Sequence, residues 1–563
     1  MNAAGSGREG SASARHPHNP RPIAEIAEEI GLLPDEIELH GRFAAKVRLE
    51  ALERLRDQPI GREVVVTAIT PSPAGVGKTA TSIGLAQALN LAGHRAAVTL
   101  RQPSMGPLFG MKGGGTGGGL SQLVPAADIN LGLTGDIHAV GAAHNLLAAF
   151  LDNHVFHGDA LGIDKDSIDW PRAVDLNDRE LRHVRVGLGG PKDGIPRDSE
   201  FVITVASEVM AVLALAISYR DLRERLGRIV PAFRTDGSVV TADDLHVAGA
   251  MAAVLRDALK PNLVQTLEGG PAWVHAGPFA NIAHGNSSVL ADLLALRTSE
   301  LVLTEAGFGA DMGAEKFFDI KCRVSGVRPA GAVIVATAQA LRLHGGASDL
   351  AVADADAVAR GCANLEKQVE NVRAFGVPAV VAINAYPTDS PDEHAIIRER
   401  ALAAGARAAV VANHYAEGGA GALEAADAVW EMACGGDLPE LRYLYDLDGS
   451  LTDKIETIAR RMYGADEVDV LPEAAEGLAH YERLGYGGLP VCMAKTHLSF
   501  TADPHIKGRP TGFTLPVREV RLAAGAGFVV AICGAISRMP GLPAHPAGEA
   551  VDIDDQGNVT GLS

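Results

Sequence analysis

The stretch Thr70-Pro-Ser-Pro-Ala-Gly-Val-Gly-Lys-Thr79 constrains this chain most, because it joins two apolar segments of different period. Residues 62–69 are an apolar run that predicts a buried strand, and residues 80–91 carry apolar side chains at helical spacing before the stop signal Gly93. A strand, a glycine-bearing turn and a helix opening on Lys and Thr is the layout of a phosphate cradle: turn N–H groups and the positive helix end face an anion. The pattern G-x-x-x-x-G-K-[ST] is met except at its first position, where Ser72 stands for Gly. On this reading Pro71, Ser72, Pro73, Ala74, Gly75, Val76, Gly77, Lys78 and Thr79 bind a nucleotide. Lys78 reaches the outer phosphates and Thr79 offers its hydroxyl to Mg²⁺. The plain alternative is a βα turn whose glycines merely cap a helix.

Further apolar runs at 95–100, 301–304, 332–336 and 379–383 are separated by helical stretches, which predicts an α/β fold with a parallel sheet covered on both faces. The first of these runs ends in Arg101, and ligands of such sheets gather at the C-terminal ends of strands. Helices are expected over 22–31, 201–219, 244–259 and 448–463, and residues 1–20 read as a disordered tail. The 201–219 run, broken by Glu208, reads as a helix buried in protein rather than a membrane span. With 50 Lys and Arg against 69 Asp and Glu, the net charge of −19 argues against nucleic acid or an anionic membrane as partner. The five cysteines, Cys322, Cys362, Cys434, Cys492 and Cys533, are widely spaced with no C-x-x-C pair, so neither zinc nor a disulfide framework is indicated. A cytoplasmic protein is expected.

Two further stretches carry polar or flexible chemistry. Residues 110–119 hold seven glycines and Lys112, which suits either close backbone approach to a ligand or a flexible linker. His138, His144, Asp152 and His154 suggest a metal at first sight, but their spacing does not put them on one helical face. Satisfied polar residues near an anion site are the better expectation.

Taken in order, these stretches resemble the formate–tetrahydrofolate ligase (formyltetrahydrofolate synthetase) family over nearly the whole chain. The most specific parts are residues 70–79 and Arg101-Gln-Pro-Ser-Met-Gly-Pro107 with the glycine run. Thr134-Gly-Asp-Ile-His-Ala-Val140, Lys260-Pro-Asn-Leu-Val-Gln-Thr-Leu-Glu268, Gly277-Pro-Phe-Ala-Asn-Ile-Ala-His-Gly285, Lys495-Thr-His-Leu-Ser499 and Met539-Pro-Gly-Leu-Pro543 add to them. The resemblance implies ATP-dependent formylation of tetrahydrofolate through formyl phosphate, giving 10-formyltetrahydrofolate, ADP and phosphate. It places Lys78 and Arg101 as the catalytic basic pair, with Thr79 on the Mg²⁺ that accompanies ATP. It puts the pterin between aromatic rings matched here by Asn384-Ala-Tyr386 and by Tyr415 of Tyr415-Ala-Glu-Gly-Gly419.

It also implies a P-loop-type nucleotide domain (22–110 and 245–365) after the tail 1–21. An inserted domain (111–244) and a C-terminal α/β domain contributing the folate pocket (366–563) complete the layout, in a homotetramer with no nucleic-acid or membrane partner. Several positions depart from the family pattern. Val76 replaces a Glu and so removes a carboxylate expected beside the phosphates. Gln102 replaces a Glu, which weakens the expectation of a monovalent cation. Glu417 replaces a Lys, which predicts weaker binding of polyglutamylated folates, and His497 stands where Gln is usual. The alternative function is a nucleotide-dependent regulatory or assembly ATPase on the same fold that no longer formylates folate.

Overall fold

The structure, a computed structural model, describes residues 20–73, 75–111 and 114–562. Ala74, Lys112 and nearly all of the expected N-terminal tail therefore lie outside the described residues. The segments flanking the glycine-bearing turn form as their periods predict, a strand Arg62–Ala68 and a helix Lys78–Leu91. Helix residues 80–89 are all buried, because the helix is covered on several sides. Gly84 permits the closest crossing: a Cβ there would lie 2.5 Å from His414 Cβ and 2.7 Å from Ser121 Oγ.

Among the described residues the architecture is a mixed α/β fold around a 12-stranded sheet. Its main path runs Ile37–His40, Ala44–Val47, Asn262–Thr266, Pro271–Val274, Ala96–Leu100, Leu301–Glu305, Arg62–Ala68, Gly331–Ala336, Ala379–Asn384, Ala408–Ala412. From Pro271–Val274 onward every neighbouring pair is parallel, whereas the first four strands pair antiparallel. The parallel strands are buried almost throughout and built of Val, Ala, Ile and Leu, as expected of a sheet with helices on both faces. Strand 301–305 lies between strands 62–68 and 96–100, so the helix Lys78–Leu91 crosses over it. This places three strand ends side by side: the one feeding residues 70–77, the one ending in Glu305 and the one preceding Arg101.

Some local expectations need correction. The apolar run 201–219 is not one helix: a strand Phe201–Ile203 and a single turn Thr204–Ala206 precede the helix Glu208–Leu215. Ser207 caps that helix by accepting from Met210 N–H at 3.2 Å, and Ser218 caps the next, Tyr219–Arg228, by accepting from Asp221 N–H at 3.1 Å. The run 244–259 narrows to Ala248–Val254, its start falling beyond His246, whose φ of +55° interrupts the helical path. The expected helix over 448–463 is found as Leu451–Ile458 followed by a wider turn, Ala459–Tyr463. No helix among the described residues is long and apolar enough to cross a membrane.

Candidate functional site

Several of the described residues of the candidate loop are held by the chain around them. Gly75 N–H donates to the Ser72 carbonyl at 2.9 Å and Ser72 Oγ donates to the Gly75 carbonyl at 3.1 Å, closing a tight turn. Gly75 and Gly77 have φ of +84° and +75°, a conformation that disfavours any side chain. Gly77 is also pressed from outside, since a Cβ there would lie 2.4 Å from Asn384 Nδ2. Asn384 Nδ2 itself donates to the Val76 carbonyl at 3.1 Å, so this residue braces the loop. The Val76 side chain packs in the main hydrophobic core with 1% exposure. Lys78 and Thr79 open the helix, with Gly77 as its left-handed cap.

Thr79 is joined to the neighbouring strand ends through Glu305, which sequence reasoning did not single out. Its Oγ1 donates to Glu305 Oε2 at 2.5 Å, and Arg101 Nη2 lies 3.7 Å from Glu305 Oε1. Arg101 Nη1 donates to the Pro278 carbonyl at 3.1 Å, while its Nε is buried without a hydrogen-bond partner among the described residues. Burial pulls the guanidinium below its ordinary value, with Glu305 acting against this, and so basic a group remains charged at neutral pH. Gly307, just after Glu305, leaves room for Arg101: a Cβ there would lie 3.1 Å from Nη2. The one sequence signal for Glu305 is its place as an acid ending a buried parallel strand.

The two candidate ring residues follow adjacent parallel strands, Ala379–Asn384 and Ala408–Ala412. Tyr386 is 40% exposed and Tyr415 is 59% exposed, so both residues are open to solvent. Tyr386 lies beside the loop, with its N–H donating to Asp389 Oδ2 at 3.0 Å. Asp389 is in turn paired with the fully buried Arg342 at 3.3 Å. The Tyr415 carbonyl accepts from Leu120 N–H at 2.9 Å, and its neighbour His414 has Nε2 3.2 Å from Thr81 Oγ1. Thr81 already spends its one hydroxyl proton on the Gly77 carbonyl, so His414 is the donor in that pair.

The glycine run is no linker where it is described. Gly117–Gly118 pairs antiparallel with Ser121 and Gln122, and a Cβ on Gly119 would lie 2.1 Å from the Tyr415 carbonyl. The strand Ser121–Val124 joins Asn262–Thr266 in the main sheet. Gln102 is buried and donates to the Gly132 carbonyl at 3.1 Å, leaving its Oε1 without a partner among the described residues. Glu417 is exposed and accepts from Asn413 Nδ2 at 2.6 Å. The His497 ring stacks on Phe308, with centroids 4.2 Å apart.

The histidines and acids of the second polar stretch are separately engaged. His144 Nε2 lies 2.8 Å from the Pro171 carbonyl and its ring stacks on Trp170, while Asp152 pairs with Arg172 and Arg197 at 2.6 and 2.7 Å. No group of three or more His, Cys, Asp or Glu able to hold a metal ion occurs among the described residues.

A family model described as formate–tetrahydrofolate ligase matches residues 11–563. Relatives carrying that same name include a protein of Saccharopolyspora erythraea, 56% identical over 96% of this chain and 97% of its own length. Another, from Roseiflexus castenholzii, is 56% identical over 96% of this chain and 98% of its own length. One from Chloroflexus aurantiacus is 54% identical over 96% and 97%. The match extends over the candidate loop, Arg101, Glu305 and both tyrosines, and the chain belongs to the formate–tetrahydrofolate ligase family.

Proposed function

We propose that Lys78, Thr79 and Arg101 carry out the ATP-dependent ligation of formate to tetrahydrofolate, the activity that family membership assigns to this chain. The observation that carries the assignment is the meeting of Thr79, Glu305 and Arg101 at the ends of three neighbouring strands. Residues 71–79 act as the P-loop, with backbone N–H groups and the N-terminus of a 14-residue helix facing the ATP phosphates. Phosphoryl transfer is mainly positioning and charge neutralisation, which the Lys78 ammonium and the Arg101 fork supply from two sides. After formyl phosphate has formed, the same cations stabilise the oxyanion that develops as N10 of the folate attacks. The retained basic pair favours an active ligase over a regulatory ATPase on the same fold.

A magnesium ion fits the chain's own donors, since the Thr79 hydroxyl and the Glu305 carboxylate already lie together at a strand end. Such an ion neutralises phosphate charge. Gln102 offers a monovalent cation only an uncharged amide oxygen, so we infer weaker cation activation here than where a carboxylate stands. Glu417 sets a negative charge beside the ring residues and would disfavour the acidic tail of polyglutamylated folates. The layout of a nucleotide domain in two segments, an inserted domain and a C-terminal domain, the homotetramer and the cytoplasmic location belong to the same proposal.

The direct test is an assay with formate, MgATP and tetrahydrofolate, read as acid conversion of product to methenyltetrahydrofolate. Product is expected at saturating substrate. ATP binding with no product would favour the regulatory reading. The pterin assignment of Asn384, Tyr386 and Tyr415 has its own check. Removing one stacked ring costs about 0.5–1.5 kcal/mol beyond lost area. Tyr415→Ala should therefore raise the folate KM about tenfold while leaving that for ATP within about twofold. Equal changes in both constants would remove Tyr415 from the folate wall.

A further inference from the structure

Thr70, the residue from which the phosphate-binding loop departs, is gripped from two sides. The helix Ala355–Ala374 holds one: Thr70 N–H donates to Asn364 Oδ1 at 3.1 Å, and its hydroxyl accepts from Asn364 Nδ2 at 3.0 Å and Gln368 Nε2 at 3.2 Å. On the other side, the Thr70 carbonyl lies 2.9 Å from Nε2 of His344, the last residue of the helix Ala338–His344. Gly508 N–H meets the opposite ring nitrogen, His344 Nδ1, at 3.0 Å. A backbone N–H only donates, so Nδ1 is the acceptor and the neutral ring carries its proton on Nε2, directed at the Thr70 carbonyl. Burial depresses the ring's pKa to about 4, which keeps it neutral at physiological pH. Gly508 is also tied to the helix Ala355–Ala374, since Asn364 Nδ2 donates to its carbonyl at 3.0 Å, and the C-terminal part reaches that helix by a second route. Lys495 pairs with Asp311 at 3.2 Å, and Asp311 exchanges hydrogen bonds of 2.8 and 2.9 Å with Gln368.

We propose that His344 is a positioning residue for the ligase reaction. With Gly508 N–H fixing its tautomer, its ring donates to the Thr70 carbonyl, sets where the phosphate-binding loop begins and so supports affinity for ATP. The inference rests on reading residues 71–79 as the nucleotide loop. Two variants separate positioning from mere packing, because each keeps one half of the relay. The Gln amide nitrogen reaches the place of Nε2, so His344→Gln keeps a donor to Thr70 and leaves Gly508 N–H unpaired. The Asn oxygen reaches the place of Nδ1, so His344→Asn keeps the acceptor for Gly508 and leaves the Thr70 carbonyl unpaired. Each variant leaves one backbone group without its partner; Thr70 is buried and Gly508 only half-buried, so His344→Asn should lose somewhat more in Tm than His344→Gln.

In the full-length protein, His344→Asn should raise the KM and Kd for MgATP about tenfold, the loss of roughly one hydrogen bond, with the folate KM within about twofold. His344→Gln should keep MgATP affinity within about twofold. Equal weakening by both variants, or by neither, overturns the proposal. Should the Asn variant fail to fold, the wild-type ring decides by ¹⁵N NMR of labelled histidine. The Nε2–H tautomer is expected at pH 7, with its signal moving on saturation with MgATP, and the opposite tautomer or an unresponsive ring overturns the proposal. Failure of the loop reading itself looks different, since Lys78→Ala would then turn over normally.

Discussion

Lys78→Ala should lower kcat by about a hundredfold to a thousandfold while leaving the fold intact. The magnitude follows from what phosphoryl and acyl transfer ask of a site, since removing one preorganised charged donor at the developing charge typically costs two to three orders of magnitude. Lys78 has its Cα in the first turn of the helix Lys78–Leu91, where its charge and the helix N-terminus act on one anion. The fold should survive because the loop keeps the Ser72–Gly75 turn, Asn384 on the Val76 carbonyl, and Thr79 on Glu305. A thermal melt within a few degrees of wild type, together with loss of methenyltetrahydrofolate formation, is the expected pair of results. Near-normal turnover would show that the phosphates are held elsewhere.

How much of this site could be read from the sequence follows from how local each signal is. The strand, loop and helix around Thr70–Thr79 are legible because their period changes within thirty residues, and the structure gives both elements within a residue of the expected bounds. Arg101 is legible for the same reason, as the residue after a short apolar strand. Glu305 is not, because its meaning depends on strand order. It meets Thr79 across 226 residues, and only the insertion of strand 301–305 between strands 62–68 and 96–100 brings the two together. The glycine run stayed ambiguous for a similar reason: its partner, Tyr415, lies far along the chain. Val76 shows a further limit. Against the family pattern it is a lost carboxylate beside the phosphates, yet its side chain is buried in the core and its carbonyl is held by Asn384. The helix over 201–219 failed because continuous apolar character hides where a helix starts, whereas the capping residues Ser207 and Ser218 mark the true boundaries.

Arg101 tests the other side of the reaction centre. Its fork is oriented by the Pro278 carbonyl on Nη1 and faces Glu305 through Nη2, so the guanidinium plane is set before any substrate arrives. Preorganisation of that kind matters most where charge develops during the reaction, and least for ground-state binding of ATP. Arg101→Ala should therefore lower kcat about a thousandfold, with the ATP Kd from calorimetry changed by less than about threefold. Arg101→Lys retains a positive charge but presents a point donor in place of a planar fork, and should recover only part of the loss, ending about a hundredfold below wild type. Neither variant should unfold the chain. Arg101 is only partly enclosed, with 24% of its side chain exposed, and Glu305 keeps the Thr79 hydroxyl as a partner. Single-turnover kinetics with preformed enzyme–ATP complex and saturating formate and folate give the decisive reading, because they exclude product release. A variant with unchanged single-turnover rate and a raised ATP Kd would make Arg101 a binding residue for the nucleotide alone, and the oxyanion would then have to be stabilised by Lys78 and the loop N–H groups without it.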